Sequence, residues 1–314
     1  MRGIGIFSGG AHPDLVTEIC AILGLPLHTT NITRFSNDCL HVQLQANCRE
    51  QDVFIIQPLC PPVQEHAMEL MLMLDAARGA SAARITAVIP HYAYGRSDKK
   101  DAPRISIGGR LVADLLNTAG ADRVLTMALH APQVHGFFSV PVDHLNALNV
   151  LAEHFRAQDL ANTIVVSPDL GNAKSATQFA RTLGLPVAAG NKQRLADDRV
   201  VIDAIVGDVA GKNVIILDDE VATGGSIIEV LRKLKELNVR NVSLACTHGL
   251  FTGNAIERLA SCDMVEIVTT NTVPIAAEKR LPNMTVLSIA PLMAEAIHRI
   301  HEGESVSSLF VNSF

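Results

Sequence analysis

The sequence predicts an α/β protein built on mainly parallel β-sheets flanked by helices. Short apolar runs rich in β-branched residues alternate with amphipathic segments along the whole chain. The apolar runs are nearly continuous and do not alternate with polar residues, which is typical of strands covered on both faces. Hydrophobic residues make up 48% of the 314 residues and aromatic residues only 4%. That composition fits aliphatic sheets buried under helices.

The strand and helix predictions follow the chain in order. Apolar runs predict strands at Asp52–Gln57, Arg84–Pro90, Asp122–Met127, Thr163–Ser167, Asn213–Leu217, Val242–Thr247 and Met264–Val268. Amphipathic segments predict helices at Val63–Arg78, Ser106–Thr118, Asn172–Leu183, Ser226–Leu237 and Pro291–His301. The repetition of strand, helix and strand at this spacing indicates parallel units joined by right-handed crossovers.

The length predicts two domains, at roughly 150 residues per domain. The segments L-L-N-T-A-G-A-D-R-V-L-T-M-A-L-H and L-K-E-L-N-V-R-N-V-S-L-A-C-T-H both run helix, turn, strand and histidine, a weak internal echo. The echo agrees with a division near Pro141–Asn149. We therefore expect domains at residues 1–145 and 146–290, with a helix and tail at 291–314 that packs back on the first domain.

Composition and charge exclude several classes of function. A net charge of −6 argues against a general nucleic-acid or anionic-membrane surface. No segment approaches the roughly 20 apolar residues of a membrane span, and the first apolar run is too short for a signal peptide. The cysteines lack C-x-x-C spacing, which is consistent with reduced thiols. We expect a cytoplasmic protein whose phosphate sites depend on local basic clusters, at Arg96–Arg104 and Lys192–Arg199.

The segment from Asn213 to Ser226 carries the strongest chemical signal. An apolar run, V-I-I-L, ends in Asp218 and Asp219, and the turn T-G-G-S at Thr223–Ser226 leads into a predicted helix. Ligands of open α/β folds bind at the carboxyl ends of the strands. Glycines let the backbone approach an anion, and a helix N-terminus offers unpaired N–H groups. The segment predicts a sugar-phosphate site with a diol near the acids; the alternative is a capped helix after a Gly-rich turn.

This run, V-I-I-L-D-D-E-V-A-T-G-G-S, resembles the phosphoribosyl-diphosphate-binding motif that type I phosphoribosyltransferases share with ribose-phosphate diphosphokinases. The first half resembles the diphosphokinases in R-F-S-N-D-C (34–39), I-T-A-V-I-P-H-Y-A-Y-G-R-S-D-K-K (85–100) and L-H-A-P-Q-V-H-G-F-F (129–138). The second half adds V-V-S-P-D-L-G (165–171), N-K-Q-R (191–194) and E-S-V-S-S-L-F (304–310). Because these matches cover essentially the whole chain in order, the sequence is identified as a member of the diphosphokinase family.

The resemblance implies two similar type I phosphoribosyltransferase-like domains, each a mainly parallel sheet flanked by helices. It also implies a reaction of nucleotide biosynthesis: the diphosphoryl group of ATP moves to the 1-hydroxyl of ribose 5-phosphate, giving 5-phosphoribosyl 1-diphosphate and AMP. Mg²⁺ is the implied cofactor. ATP would bind mainly to the first domain and the sugar to the second. Family members commonly form dimers that assemble into hexamers, so a homo-oligomer is expected.

The resemblance further assigns roles to individual residues. Lys192 and Arg194, on a segment expected to be a mobile loop, would stabilise the charge of the transition state. ATP would be bound by Phe35, Asn37, Arg96, Ser97, Asp98 and His130; ribose 5-phosphate by Asp218, Asp219, Ala222, Thr223, Gly224, Gly225 and Ser226; and the metal by His130 and Asp169. The regulatory anion site of some family branches uses residues resembling Arg49, Ser81, Arg84, Ser307 and Ser308.

Each assignment has a plainer alternative when the residues are considered alone. Lys192 and Arg194 would then belong to a solvated basic loop, and Lys99–Lys100 to the general surface. A histidine at a strand end, such as His130, is more often structural. Mg²⁺ prefers oxygen ligands, so Asp169 is the stronger metal candidate and the histidine would contact phosphate. The residues of the regulatory site are also common on ordinary surfaces.

Four departures from the family pattern stand out. The family's F-S-D-G-E segment, which contacts adenine across a subunit interface, has Asn37, Asp38 and Cys39 in place of Asp, Gly and Glu. The loss of the acid at position 39 removes hydrogen bonds toward adenine. Ala128 replaces the acid of D-L-H that would orient the histidine, and Asn172 replaces a glycine. Ala222 replaces the third acid of the sugar loop. Glu220 would compensate for that loss only if its side chain turned inward.

These departures leave other functions open. One is a catalytically weak or silent paralogue that assembles with an active enzyme and regulates it. The others are a different diphosphoryl or phosphoribosyl transfer and a plain phosphosugar-binding module. The chain retains the residues expected of the enzyme: Lys192, Arg194, Asp218, Asp219, the T-G-G-S turn and Arg96. This favours the enzyme, because a silent paralogue has little physical reason to keep basic residues in an exposed loop.

Overall fold

Two parallel sheets, one from each half of the chain, carry the architecture. The structure, a computed structural model, describes residues 3–196 and 199–310, and for residues 192–196, 199–202 and 310 only the backbone belongs to the described part. The first half forms β1 (Ile4–Ser8), α1 (Pro13–Leu23), β2 (Leu27–His28), β3 (Thr30–Arg34), β4 (Leu40–Leu44), β5 (Asp52–Ile56), α2 (Val63–Gly79), β6 (Arg84–Ile89), α3 (Gly108–Ala119), β7 (Arg123–Met127) and β8 (Val142–Leu145). The second half forms α4 (Leu148–Arg156), β9 (Thr163–Ser167), α5 (Ala173–Leu183), β10 (Val187–Ala196), β11 (Arg199–Val206), β12 (Asn213–Val221), α6 (Gly225–Glu236), β13 (Val242–Gly249), α7 (Ala255–Ala260), β14 (Glu266–Thr270), β15 (Met284–Leu287) and α8 (Ala290–Glu302).

The first sheet has the strand order β2-β1-β5-β6-β7-β8, and all of its neighbours are parallel. The second sheet has the order β11-β10-β9-β12-β13-β14-β15 and is parallel except for the antiparallel pair β10–β11. A separate antiparallel hairpin is formed by β3 and β4. The α/β fold class predicted from the sequence is therefore confirmed, with helices between successive parallel strands.

Each sheet is buried on both faces, as the continuous apolar runs predicted. In β5, Val53 packs with α2 and α3 on one face, while Phe54 packs with α1 and α8 on the other. In β9, Val166 packs toward α6 and α7, and Val165 toward α4 and α5. Neighbouring strand residues point to opposite faces, so a strand between two helical layers needs an apolar residue at nearly every position.

Helix α8 follows the second sheet in the sequence but contributes to the core of the first. Its residues Met293 and Ile297 are buried in one cluster with Leu15, Ile19 and Phe54. The Arg84 guanidinium donates 2.8 Å to the Ile300 carbonyl near the end of this helix. The last helix is thus part of the first core.

Strand β12 is longer than the apolar run predicted. The prediction ended at Leu217, whereas the strand continues to Val221 because its pairing with β13 persists, with Asp218 opposite Cys246 and Glu220 opposite His248. The acidic residues therefore lie on a paired strand and not in a free turn. This fixes their backbone and the directions of their side chains.

Candidate active site

A cleft of about 1700 Å³ lies where the carboxyl ends of strands from both sheets meet. From the first half, Arg96 and His130 line it after β6 and β7. From the second half, Asp169 lines it after β9 and the segment 217–227 after β12. Three of the residues predicted for ATP, Arg96, Asp98 and His130, thus converge with the predicted sugar residues, because the carboxyl edges of the two parallel sheets face the same space.

The turn between β12 and α6 is built to receive an anion. Gly224 has φ +75°, a left-handed conformation that suits glycine, and α6 begins at Gly225. The first turn of α6 has no side-chain cap, and its residues line the cleft. The unpaired N–H groups and the positive end of the helix dipole therefore face the ligand space. Thr223 and Ser226 stand on either side of the two glycines.

His130 and Asp219 form an ion pair across the cleft, with Nδ1 of the histidine 2.6 Å from Oδ2 of the aspartate. The hydrogen bond to Asp219 raises the pKa of His130, although burial opposes this. Burial alone would raise the pKa of Asp219, but the hydrogen bond from His130 lowers it to about 2. The pair holds one side chain from each half of the chain in contact within the site.

Asp218 carries the opposite perturbation. Burial raises the pKa of Asp218 well above its ordinary value, and the neighbouring Asp219 and Asp169 carboxylates add to the shift. Its Oδ1 accepts the backbone N–H of Asp219 at 2.9 Å. Within the part of the chain that the structure describes, no group of three or more His, Cys, Asp or Glu side chains forms a ready metal cage. The oxygen-rich environment nevertheless suits a hard divalent cation that takes one or two carboxylates and completes its shell with water and phosphate.

Glu220 points inward and lies between residues of the first half. Its Oε1 is 3.1 Å from Nη2 of Arg96, and its Oε2 is 3.2 Å from Nε2 of His91. Burial would raise the pKa of Glu220, but the hydrogen bond with His91 and the charge of Arg96 lower it. The Glu220 side chain therefore turns inward, which it must do to compensate for Ala222. Its partners, however, are protein side chains of the first half.

Two histidines hold the A-L-H loop that lacks the expected acid. Ala128 has φ +44°, and its carbonyl accepts a hydrogen bond from Nε2 of His248 at 3.2 Å. The backbone N–H of Leu129 donates to Nε2 of His144 at 2.8 Å. Burial lowers the pKa of His144 to about 4, which keeps this nitrogen free to accept. His130 is thus oriented by its loop and by Asp219, without an acid at position 128.

Asn172 takes over a structural role at the start of α5. Its side-chain amide donates to the Leu217 carbonyl at 3.0 Å, and its backbone N–H donates to Oδ1 of Asp169 at 3.0 Å. The asparagine therefore ties the loop after β9 to strand β12, next to Asp218. A glycine at this position would lack the first of these bonds.

The remaining ATP-side residues lie in two places. Ser97 accepts the backbone N–H of Gly108 at 2.8 Å, and Asp98 contacts Gln133 on the loop that borders the cleft. Phe35 and Asn37 instead lie at the tip of the β3–β4 hairpin and are not among the residues that line the cleft. The Phe35 side chain is 55% exposed.

The structure differs from the sequence expectation around Lys192 and Arg194. In place of the expected loop, both residues lie in strand β10, which pairs antiparallel with β11 and has register shifts at both positions. The β-branched run V-V-I-D-A-I-V supplies the pairing partner. The side chains of Lys192 and Arg194 lie outside the described part of the chain.

The residues of the expected regulatory site lie away from the cleft. Arg84 forms a two-pronged ion pair with the buried Asp52, and Arg299 donates to the Ser308 hydroxyl. The Ser81 carbonyl accepts a hydrogen bond from the backbone N–H of Glu50 at 3.0 Å. Ser81 therefore lies next to the residue that follows Arg49. Ser307 begins the short 3₁₀ helix after α8.

The fold and the site together define a doubled protein of the type I phosphoribosyltransferase-like class. A family model described as the N-terminal domain of ribose phosphate pyrophosphokinase matches residues 4–120, and one described as a phosphoribosyl synthetase-associated domain matches residues 195–311. A protein of Streptomyces coelicolor is 65% identical over 311 residues, which cover 99% of this chain and 98% of that protein. The ribose-phosphate pyrophosphokinase of Deinococcus radiodurans is 51% identical over 310 residues, 97% of each chain.

A crystal structure of phosphoribosylpyrophosphate synthetase from Mycobacterium smegmatis matches with a TM-score of 0.89 and 39% identity. The match covers 96% of this chain and 100% of that one. The chain belongs to the ribose-phosphate pyrophosphokinase family. At this level, the enzyme class and the reaction expected from the sequence are confirmed, and nothing in these comparisons supports the regulatory paralogue. Among the helices of the described residues, none combines the length and the apolar composition that crossing a bilayer requires.

Proposed function

We propose that this chain itself transfers the diphosphoryl group of ATP to ribose 5-phosphate, and that the reaction takes place in the cleft between the two sheets. The supporting observation is the convergence of Arg96 and His130 with Asp218, Asp219 and the T-G-G-S turn around one space of about 1700 Å³. A phosphosugar-binding module would need only the second group of residues. Two substrates explain why both groups are present.

Ribose 5-phosphate binds on the α6 side. Its phosphate accepts N–H groups at the start of the helix, and its diol lies near the carboxylates of β12. The residues proposed to contact it are Asp218, Asp219, Ala222, Thr223, Gly224, Gly225 and Ser226. The dipole of α6 and the backbone N–H groups supply positive potential here, which a chain with a net charge of −6 cannot supply globally.

ATP binds on the β6 and β7 side, mainly within residues 1–145, with residues 146–290 holding the sugar. Arg96 contacts the phosphates, and Ser97, Asp98 and His130 lie along the nucleotide. Phe35 and Asn37 do not line the same cleft. Because the family resemblance implies that this segment contacts adenine across a subunit interface, we assign them to the ATP site of a second copy of the chain. The active form is then a homo-oligomer.

Mg²⁺ is the proposed cofactor, with Asp169 as its protein ligand and His130 beside it. Enzymes that transfer phosphoryl groups work with a metal ion that neutralises charge on the phosphate oxygens. The oxygen donors and the surplus of carboxylate charge around Asp218 fit such an ion. His130, held by Asp219, keeps its protonated face available for a phosphate oxygen.

The reaction forms a bond between the 1-hydroxyl oxygen of the sugar and the β-phosphorus of ATP. The bond from that phosphorus to the oxygen that bridges it to the α-phosphate breaks, and AMP leaves with that oxygen. The hydroxyl proton is released. Lys192 and Arg194 are proposed to stabilise the charge that spreads over the transferred group.

The test is AMP formation by the purified chain from ATP, ribose 5-phosphate and Mg²⁺. Wild type should form AMP, and Lys192→Ala should lower kcat by about 10²–10³-fold, the cost of removing one preorganised charge stabiliser. The matched control is Lys235→Ala, an exposed lysine on α6. Absence of AMP from folded wild type would refute the proposed activity and favour the regulatory paralogue. Binding of ribose 5-phosphate without binding of an ATP analogue would favour the phosphosugar module.

A regulatory anion site near Arg49, Ser81, Arg84, Ser307 and Ser308 is a second, independent part of the proposal. These residues lie outside the cleft, so inhibition by ADP acting there should persist at saturating ATP. Inhibition that disappears at saturating ATP would mean that ADP competes in the cleft instead.

A further inference from the structure

Glu220 connects the sugar side of the cleft to the ATP side. It lies on β12 directly after the two aspartates, whereas its partners Arg96 and His91 both follow β6 in the other sheet. Its two carboxylate oxygens have separate partners, at 3.1 Å and 3.2 Å. The side chains of Glu220 and His91 are only 9% and 3% exposed. Little water can therefore replace these contacts.

His91 fixes the orientation of the Glu220 carboxylate. Its Nδ1 lies 2.9 Å from the Leu59 carbonyl, which can only accept, so this nitrogen carries a hydrogen. Its Nε2 lies 3.2 Å from Oε2 of Glu220. The ring also packs edge-on against His248, with centroids 4.8 Å apart. Because the carboxylate is anchored through Oε2, Oε1 is presented to Arg96.

The contact with Glu220 leaves most of the Arg96 guanidinium available to a ligand. The contact with Glu220 uses Nη2, and the Arg96 side chain is still 48% exposed toward the ligand space. A guanidinium has five N–H donors, so others are available for a phosphate.

We infer that Glu220 is a positioning residue for the triphosphate of ATP: it sets Arg96 in a binding orientation from across the domain boundary, with His91 as its anchor. The inference rests on the proposed function, in which Arg96 contacts ATP. Preorganisation improves binding because less side-chain freedom is lost when the ligand arrives. The same pair could have acted in the opposite way, by holding Arg96 away from phosphate, and the two roles predict opposite changes in the KM for ATP.

Glu220→Gln is the test variant because it keeps the size of the side chain and removes its charge. The KM for ATP should rise about tenfold, which corresponds to the loss of one charge-assisted hydrogen bond. The KM for ribose 5-phosphate and kcat should stay within about twofold, whereas a general structural defect would change all three. The matched control is Glu229→Gln on α6, whose partner Arg232 lies on the same helix. An unchanged or lower KM for ATP would overturn the inference.

A double-mutant cycle tests whether the effect passes through Arg96. In an Arg96→Ala background, Glu220→Gln should change the KM for ATP by less than about twofold, because the residue to be positioned is gone. A full tenfold effect in that background would refute the role. If Glu220→Gln does not fold, as judged by thermal unfolding, His91→Gln takes its place. The same ATP-specific rise in KM is then expected, and its absence counts against the inference.

Wild-type activity separates this inference from the proposed function. If wild type forms no AMP, the proposed function fails. If wild type is active and Glu220→Gln leaves the KM for ATP unchanged, only the positioning role fails. Calorimetry with a non-hydrolysable ATP analogue should give the same roughly tenfold change in Kd as the change in KM.

Discussion

His248 lies buried between the two halves of the chain, and its ring is held in the uncharged form. Its Nε2 lies 3.2 Å from the Ala128 carbonyl oxygen, and its Nδ1 lies 2.9 Å from the Thr272 hydroxyl oxygen. Burial lowers the pKa of His248 to about 4, and the neighbouring His91 adds to the shift. A second proton on the ring would place a charge in a buried site.

We expect the protein to lose stability as the pH falls from about 6.5 toward about 4. In this window the unfolded chain binds a proton at His248 that the folded chain does not, so the free energy of unfolding decreases as the pH falls. The loss from this one group approaches about 3 kcal/mol below that window. Urea unfolding across this pH range measures it. His248→Gln should flatten the dependence and exposed His298→Gln should not; equal slopes for wild type and His248→Gln would contradict the assignment.

The ion pair between His130 and Asp219 gives a second prediction at this scale. The hydrogen bond to Asp219 raises the pKa of His130, so Asp219→Asn should lower it toward the ordinary value. An NMR titration of the ring protons measures the shift. Asp263→Asn, which changes an exposed aspartate, should leave the His130 titration unchanged. A His130 titration that does not respond to Asp219→Asn would mean that the pair does not form in solution.

At the scale of single elements, the β12–α6 connection depends on one backbone conformation. Gly224 has φ +75°, whereas Gly225 is already helical. A Cβ built on either glycine meets only ordinary contacts, the nearest at 3.9 Å and 3.8 Å respectively. The two glycines therefore differ in backbone strain and not in available space.

Gly224→Ala should therefore destabilise the protein by about 1–2 kcal/mol, the cost of a left-handed conformation for an L-residue. Gly225→Ala should be neutral or slightly stabilising, because alanine favours a helix over glycine. Chemical denaturation of both variants measures the difference. Equal losses of stability at the two positions would show that the strain is not localised at Gly224.

Most of the elements could be predicted from the sequence because buried parallel strands and amphipathic helices have strong local patterns. Thr163–Ser167 is a strand with the predicted bounds, and the helix predicted at Val63–Arg78 ends one residue later. The β3–β4 hairpin was not predicted, because half of its residues are polar and exposed. The segment that contains Lys192 and Arg194 was expected to be a loop, because its strand conformation depends on pairing with β11.

The residues of the site also separate into those that could be predicted from the sequence and those that could not. Residues at strand ends, such as Arg96, His130 and Asp218, could be placed from the sequence because parallel sheets bring their carboxyl ends together. The contact of Glu220 with His91 spans 129 residues and has no local pattern. For His248 the sequence offered one weak indication, because the two similar segments of the internal echo both end in a histidine. For His144 it offered none, because a contact with the backbone N–H of Leu129 leaves no pattern in the sequence.

At the scale of the whole molecule, α8 joins the last part of the chain to the first core. Ile297 is fully buried in the cluster that contains Leu15 and Phe54. The buried Asp52 carboxylate adds a polar link, because it accepts from Arg84 and lies 2.9 Å from Nδ1 of His301. The contact between Asp52 and His301 spans 249 residues, more than half of the sequence.

Ile297→Ala should lower the free energy of unfolding by about 2–4 kcal/mol, because it leaves a cavity in a core that cannot close around it. The matched control is Ile22→Ala on the packing partner α1, where the side chain is 49% exposed. That control should cost less than about 1 kcal/mol. Denaturant titration compares the two variants. Similar losses for both would mean that α8 is not an integral part of this core.

The position of α8 has a consequence for synthesis on the ribosome. A nascent chain that has emerged only as far as β8 already contains every strand of the first sheet, but α1 still exposes the apolar surface that residues 290–302 later cover. The core of the amino-terminal unit therefore stays incomplete until the whole of the following unit has been translated. Until then that apolar surface is available to chaperones. A chain that ends before residue 290 would lack α8, so the apolar surface of α1 would stay exposed.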